Sequence, residues 1–155
     1  MNHLANSPDM AQISKLRNLS IALREKIPYL RMLVLFGSRA RGDTHAKSDW
    51  DFAAVYDDKI RYLQIKDNGF RWFEVPQLLG EAFALNPDMI DVVDLNKCSS
   101  LMAHYVARDS ILLYEKEVGI FDAFRSSTLK SDAELKAIRK ALEEQVEKNL
   151  QKWGV

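Results

Sequence analysis

The sequence has only one cysteine, no long run of apolar residues and no excess of charge of either sign. Because Cys98 stands alone, these 155 residues hold neither an internal disulfide nor a cysteine-based zinc site, which favours a reducing compartment. No run approaches the roughly 18 apolar residues that a membrane-spanning helix needs. The segment 1–9 is polar and contains Pro8, so no signal peptide is expected. These absences predict a cytoplasmic protein that does not enter a membrane.

The balance of charge limits the partners that this protein is expected to have. The chain holds 22 basic and 22 acidic residues, whereas a protein that binds a long nucleic acid usually shows a basic excess. Direct binding of a long nucleic acid is therefore not expected, although a short basic groove for one nucleotide is compatible with this composition. With 47% hydrophobic and 28% charged residues and no repeats or low-complexity linkers, the chain predicts one domain over 1–155.

Apolar spacing and turn residues predict the order of the secondary structure. A first helix begins after Asp9, carries an apolar stripe and ends at Pro28. Further elements are expected as strands over 31–36, 49–55 and 89–95, a possible short edge strand over 110–114, and helices over 71–85, 99–108 and 131–153. This order predicts an α/β (α+β) domain with one small mixed sheet flanked by helices, and a core over about 10–115.

The last predicted helix, 131–153, is long and amphipathic. Its apolar side chains are spaced by three and four residues and form one stripe of Leu135, Ile138, Leu142, Val146 and Leu150. Such a stripe is expected to pack on the helix's own domain. Docking of part of it against a partner helix is the alternative.

The most informative part of the sequence joins a small-residue turn to a pair of carboxylates. Gly37 and Ser38 follow an apolar run, and after ten further residues Asp49 and Asp51 open a second apolar run. Because side chains alternate along a strand, the two aspartates are expected to point to one side and Trp50 to the other. Paired carboxylates repel each other unless a cation lies between them, and hard oxygen ligands suit Mg²⁺. The pattern therefore indicates phosphate chemistry.

The residues of the turn are suited to binding a phosphate. Gly37 allows a sharp bend and a close approach of the backbone, and Ser38 offers a hydroxyl and an N–H group. Arg39 and Arg41 are candidates for charge-assisted hydrogen bonds to phosphate oxygens, and at least one of them is expected to fill this role. Gly37, Ser38, Arg39 and Arg41 are thus the predicted nucleotide-binding residues.

This arrangement resembles the signature of the DNA polymerase β-type nucleotidyltransferase superfamily, and within it the minimal nucleotidyltransferases of HEPN/MNT toxin–antitoxin pairs. The resemblance extends from about Arg31 to Tyr114. It implies a polymerase β-like fold, ATP as substrate, two Mg²⁺ ions and a third carboxylate beside Asp49 and Asp51. Asp91 matches the position of that third carboxylate, and Asp94 is the alternative. Since they are three residues apart, only one of them can face the site from a regular strand.

The resemblance also implies a function and a partner. Minimal nucleotidyltransferases of this kind transfer AMP from ATP to a tyrosine hydroxyl of a cognate HEPN toxin, an RNase, and thereby neutralise it. The partner is then that toxin, in a hetero-oligomeric complex. Two alternatives remain open from the residues alone: an antitoxin that acts by occlusion, and a nucleotidyltransferase for small molecules such as antibiotics.

Overall fold

The computed structural model describes residues 7–43 and 48–154 of the chain. Its strands are β1 (Leu30–Phe36), β2 (Trp50–Tyr56), β3 (Ile90–Asp94) and β4 (Ile111–Glu115). The α-helices are α1 (Met10–Leu19), α2 (Leu23–Lys26), α3 (Gly37–Arg41), α4 (Asp58–Ile65), α5 (Val75–Phe83), α6 (Ser100–Asp109), α7 (Ile120–Thr128) and α8 (Asp132–Lys152). Short 3₁₀ turns occupy Ser20–Ala22, Gly69–Phe73 and Pro87–Met89. Among the described residues, no helix is both long and apolar enough to span a membrane.

The four strands form one mixed sheet in the order β3-β2-β1-β4. Strand β1 is antiparallel to both β2 and β4, whereas β2 and β3 are parallel. The predicted mixed sheet flanked by helices is therefore confirmed, and β4 lies at an edge as expected. In the parallel pair, Asp51 lies opposite Asp91 and Ala54 lies opposite Asp94.

Each face of the sheet is covered by its own group of helices. One face, here called the α1/α5 face, packs Phe52 and Leu33 against apolar side chains of α1, α2, α4 and α5. The other, the α6/α7 face, packs Val34 and Ala53 against α6 and α7. Alternating residues of the same strand thus enter different cores, as a strand covered on both faces requires.

The first helix begins where its sequence predicts. The side chain of Asp9 accepts hydrogen bonds from the backbone N–H groups of Ala11 and Gln12 and so caps α1. The predicted single helix up to Pro28 is wrong in one respect, because a 3₁₀ turn over Ser20–Ala22 separates α1 from α2. The Ser20 hydroxyl donates to the carbonyls of Arg17 and Leu113, which ties this turn to β4.

Two helices and part of a third differ from the sequence prediction. The sequence analysis assigned neither α4 nor α7, although Ile120, Phe121 and Phe124 of α7 are spaced to form one helix face and pack against the α6/α7 core. The predicted helix over 71–85 is shorter, because a 3₁₀ turn occupies its first residues and α5 begins only at Val75. The turn fits its sequence, since the side chain of Asn68 accepts from Phe70 N and holds the chain out of the α conformation.

The C-terminal helix α8 is supported by the rest of the protein only near its beginning. A capping box between Ser131 and Glu134 starts the helix, and Leu135 is buried. Beyond them, Leu142, Val146 and Leu150 are 52%, 57% and 47% exposed. The expectation that the whole stripe packs on its own domain is therefore wrong for the distal half. Nothing in the described chain covers that half.

Candidate active site

The end of β1 turns directly into α3 at Gly37. This glycine has φ of 73°, in the left-handed region that residues with a Cβ rarely adopt. A Cβ built there would overlap the carboxylate of Asp51 on the neighbouring strand. Gly37 is therefore required both for the bend and for the close approach of β2. Helix α3 begins at Gly37 itself.

A second glycine ends this short helix. Gly42 has φ of 81°, and its N–H group donates to the carbonyl of Ser38, so that α3 stops after five residues. A Cβ at Gly42 would overlap the backbone carbonyl of Ser7. The segment before α1 consequently lies against the end of the turn. The residues 44–47, which lead from the turn to β2, lie outside the described part of the chain.

The parallel ladder brings two of the predicted carboxylates side by side. Asp51 and Asp91 are partners in the β2–β3 register and belong to the α6/α7 side of their strands. Asp49 precedes β2 by one residue and is exposed. The neighbouring side chains Trp50 and Phe52 point to the α1/α5 core, where their rings stack 6.3 Å apart. The predicted separation from the aromatic side chains is therefore confirmed for Asp51.

Electrostatic repulsion connects these three carboxylates. The pKa of Asp51 is raised, first by partial burial and then by the negative charges of Asp91 and Asp49, while Arg41 opposes the shift. A cation that neutralised Asp49 and Asp91 would stabilise the charged form of Asp51. This repulsion is the physical signature of a site built to receive positive charge.

The carboxylates fit a hard divalent cation by their chemistry. Asp49, Asp51 and Asp91 supply only oxygen ligands from two adjacent strands, which is the donor set that Mg²⁺ prefers. Their side chains are not yet at ligand geometry, since no group of three histidine, cysteine, aspartate or glutamate residues in the described chain is placed to hold a metal. Asp49 and Asp91 are both exposed, so their side chains have room to rotate.

The alternative third carboxylate, Asp94, lies on the other face. Its carboxylate forms an ion pair with Arg61 at 3.7 Å, and it also accepts a hydrogen bond from Asn96 N. The three-residue offset therefore places Asp91 and Asp94 on opposite faces of the sheet, as predicted. The structure brings Asp91, and not Asp94, next to Asp51.

The two arginines of the turn have different surroundings. The guanidinium of Arg39 lies 3.8 Å from the centre of the Trp50 ring and donates twice to the carbonyl of Ser48, at 2.7 and 3.2 Å. Burial lowers the pKa of Arg39, and the charge of Asp49 opposes this shift. Arg39 thus holds α3 against the beginning of β2, a structural role that the sequence analysis did not assign. Contact between Arg39 and a phosphate stays a prediction.

Arg41 is the more accessible cation. It is exposed, and its Nε lies 3.1 Å from Asp43 Oδ2 on the surface. The pKa of Asp109 at the end of α6 is lowered first by the hydrogen bonds from Arg108 and, to a smaller extent, by the charge of Arg41. The turn is therefore close to the end of α6. The sequence analysis missed this neighbour because Asp109 follows the turn by more than sixty residues.

The fold and the site together define a nucleotidyltransferase of the polymerase β type. The family described as "Polymerase beta, Nucleotidyltransferase" matches residues 18–118, which is well over half of the chain. The protein adenylyltransferase MntA of Aphanizomenon flos-aquae is 52% identical over 143 residues, with 92% of this chain and 95% of the relative covered. The chain therefore belongs to the polymerase beta nucleotidyltransferase family and, within it, to the MntA protein adenylyltransferases.

Solved structures agree with this assignment. A chain from a toxin–antitoxin crystal structure with AMP-PNP is 30% identical, with a TM-score of 0.59 and coverage of 86% of this chain and 97% of that one. A chain from a complex of the tri-AMPylated Shewanella oneidensis HEPN toxin with the MNT antitoxin is 27% identical, with a TM-score of 0.57 and coverage of 87% and 98%. Both similarities extend over nearly the whole of the compared chains.

Proposed function

We propose that the protein is an antitoxin that transfers AMP from ATP to a tyrosine hydroxyl of a cognate HEPN RNase toxin. The observation that carries this proposal is the set of three carboxylates opposite the Gly37 turn, in a chain of the MntA family. A relative was solved with AMP-PNP, and another with an AMPylated toxin. These two complexes supply the proposed donor and the proposed acceptor. A hetero-oligomer with that toxin is the expected working form.

The turn and the carboxylates have separate tasks in the transfer. Gly37 and Ser38 receive the triphosphate against the backbone of the bend, and Arg41 neutralises part of its charge. The tyrosine oxygen attacks the α-phosphorus, the bond to the β-phosphate breaks, and pyrophosphate leaves. We expect the acceptor hydroxyl to enter beside Asp51 and Asp91, so that its proton passes toward a carboxylate.

Asp49, Asp51 and Asp91 would hold two Mg²⁺ ions, which supply charge stabilisation of the entering and leaving oxygens in such a transfer. The pKa of Asp51 is raised by partial burial and then by the charges of Asp91 and Asp49, and this clustering of negative charge supports the assignment. Dependence on Mg²⁺ and the role of each carboxylate are part of the proposal. A cytoplasmic location and a single nucleotidyltransferase domain over 1–155 belong to it as well.

The test uses labelled ATP and the protein encoded by the neighbouring gene. With Mg²⁺ and the parent protein, the neighbour should acquire label on a tyrosine, and EDTA should abolish the reaction. Asp49→Ala should abolish labelling, whereas Asp67→Ala, a change at an exposed aspartate outside the site, should leave it intact. A neighbour that stays unlabelled with the parent protein would contradict the proposal.

A second candidate function is neutralisation by occlusion alone. The observation in its favour is the exposed apolar stripe of Leu142, Val146 and Leu150 on α8, which is the kind of surface that a partner covers. Cell protection separates the two candidates. A double variant, Asp49→Ala with Asp51→Ala, should fail to protect cells from the toxin if modification is required, and should protect them fully if occlusion is sufficient.

A further inference from the structure

A cavity of about 440 Å³ opens on the α1/α5 face, away from the carboxylates. It lies at the far ends of β2 and β3, and Tyr56 on β2 is five residues from Asp51 along the strand, or roughly 17 Å. Asp94 belongs to its lining, whereas Asp91 faces the other way. The cavity is thus separated from the proposed catalytic site by the sheet itself. Its volume is within the range of small-molecule sites.

The most unusual residue of this cavity is Arg61, which is only 6% exposed. Its Nη2 donates to the carbonyl of Trp72 at 3.1 Å, and its Nη1 is 3.7 Å from Asp94 Oδ2, beyond ordinary hydrogen-bond distance. Its Nε is buried and has no acceptor in the described chain. A guanidinium carries five N–H donors, so this one is incompletely satisfied. Buried polar groups left in that state are unfavourable, and each requires an explanation.

Aromatic rings surround the guanidinium. The Arg61 carbon Cζ lies 4.3 Å from the ring centre of Tyr56, 4.9 Å from that of Trp72 and 5.4 Å from that of Tyr29. At the mouth of the cavity, the ring of Phe73 is 81% exposed and offers an aromatic face to an incoming planar group. Flat apolar walls of this kind favour a stacked ring.

The charge of the lining is positive. Arg61 and the exposed Lys97 supply two cations, and Asp94 supplies one carboxylate. An anion that entered between the two cations would receive charge-assisted hydrogen bonds from both. Because Asp94 lies 3.7 Å from Arg61 Nη1, beyond ordinary hydrogen-bond distance, this group keeps donor capacity for a ligand oxygen.

We propose that this cavity binds a nucleoside monophosphate, with the base against Phe73 and Trp72 and the phosphate between Arg61 and Lys97. The ligand class follows from combining aromatic walls with two cations in a cavity of this size. The proposal goes beyond adenylyl transfer, because the cavity shares no residue with the Gly37 turn and the ligand is not a donor for the transfer. Its validity does not depend on the proposed function.

The experiment follows the three tryptophans of the chain separately. The protein is labelled with 5-fluorotryptophan, and its ¹⁹F resonances are assigned with Trp72→Phe and Trp153→Phe. Titration with AMP should shift the resonance of Trp72 saturably and leave that of Trp50, which lies behind the catalytic carboxylates, unchanged. Adenosine and inorganic phosphate, each lacking half of the ligand, should bind at least about 10-fold more weakly than AMP. A shift of Trp50 alone, no shift at all, or equal binding of adenosine would overturn the proposal.

Variants test the two cations. Lys97→Ala should weaken AMP binding about 5- to 10-fold, whereas Lys59→Ala, a change at an exposed lysine of α4 outside the cavity, should have no effect. Arg61→Lys keeps the charge but removes the planar donors, and it should weaken binding further. Since Arg61 is buried, this variant is first checked for folding. Lys97→Ala decides the question alone, and unchanged AMP affinity in it would overturn the proposal.

Discussion

The two faces of the sheet use the same strands for opposite purposes. On β2, Phe52 enters the apolar core of the α1/α5 face, while Asp51 next to it is held beside Asp91, so that the two carboxylates repel each other. The first residue stabilises the fold, and the second reduces its stability for the sake of a binding site. Alternation along a strand makes this division possible within two consecutive residues. Changes on the two sides should therefore affect activity and stability separately.

The largest effect is expected for Asp51→Asn. Loss of one carboxylate from the proposed two-metal site should reduce AMP transfer by about 10⁴-fold, which corresponds to roughly 5 kcal/mol of transition-state stabilisation. The rate of label transfer to the partner measures it. Asp94→Asn, three residues along β3 from Asp91 but on the opposite face, serves as the matched control and should retain most of the activity. Equal losses in both variants would remove the distinction between the faces.

Phe52→Ala should have the converse effect. The side chain is fully buried and stacks on Phe83 at 5.5 Å, so truncation should reduce the free energy of unfolding by about 3–5 kcal/mol. Urea unfolding measures this change. Transfer activity per folded molecule should persist at temperatures where the variant is folded. Phe70→Ala, at a ring that is 89% exposed, should change the stability by less than about 0.5 kcal/mol.

Gly37→Ala should reduce both the stability of the fold and the transfer activity, because Gly37 has a left-handed backbone conformation and also lies against Asp51. The left-handed backbone conformation alone costs a residue with a Cβ about 1–2 kcal/mol, and the new methyl group would also push Asp51 from its place. Lower stability in urea and a loss of transfer activity are both expected. Gly69→Ala, where a Cβ meets nothing within 4 Å, should leave transfer unchanged. Full activity of Gly37→Ala would show that the close approach to Asp51 is not required.

The smallest effect is expected for the contribution of ionised Asp51 to the stability of the folded protein. Because its pKa is raised in the folded protein, the folded state holds this proton more tightly, and its stability declines as the pH rises from the ordinary aspartate pKa through the raised one. Above that window, Asp51→Asn should melt a few degrees higher than the parent protein in EDTA. Mg²⁺ should raise the melting temperature of the parent but not that of the variant. A lower melting temperature for Asp51→Asn in EDTA would contradict the inference that Asp51 is repelled by Asp91 and Asp49.

The sequence predicted those features of the fold that depend on local patterns. The cap at Asp9, the strands and the separation of Asp51 from Trp50 follow from periodicity and turn chemistry, and the structure confirms them. The sequence analysis missed helices α4 and α7, and the apolar spacing of Ile120, Phe121 and Phe124 was the signal that would have revealed α7. The prediction that the whole apolar stripe packs on its own domain failed at α8 for a different reason. Its stripe indicates an apolar face, but a sequence pattern does not say how far the domain extends beneath it.

For the candidate site, the sequence proposed the residues but did not reveal their neighbours. The choice between Asp91 and Asp94 needed the parallel register, which depends on a pairing between segments about forty residues apart. The contacts of Arg39 with Trp50 and Ser48 were hidden for the same reason. Arg61 carried no signal at all, since an arginine in a polar helix is normally a surface residue. Long-range contacts therefore decide which charged side chains face the active site and which are buried.

The contact between Gly42 and the Ser7 carbonyl has a practical consequence for anyone who purifies this protein. An affinity tag joined directly to Ser7 would be attached next to Gly42, five residues after the bend at Gly37 that is proposed to receive the triphosphate, although about thirty residues separate Ser7 from that bend in the sequence. Kinetic constants measured on such a fusion would report partly on the tag. A tag placed after α8 would instead adjoin the exposed stripe of Leu142, Val146 and Leu150, so removal of the tag by a protease is preferable at either position.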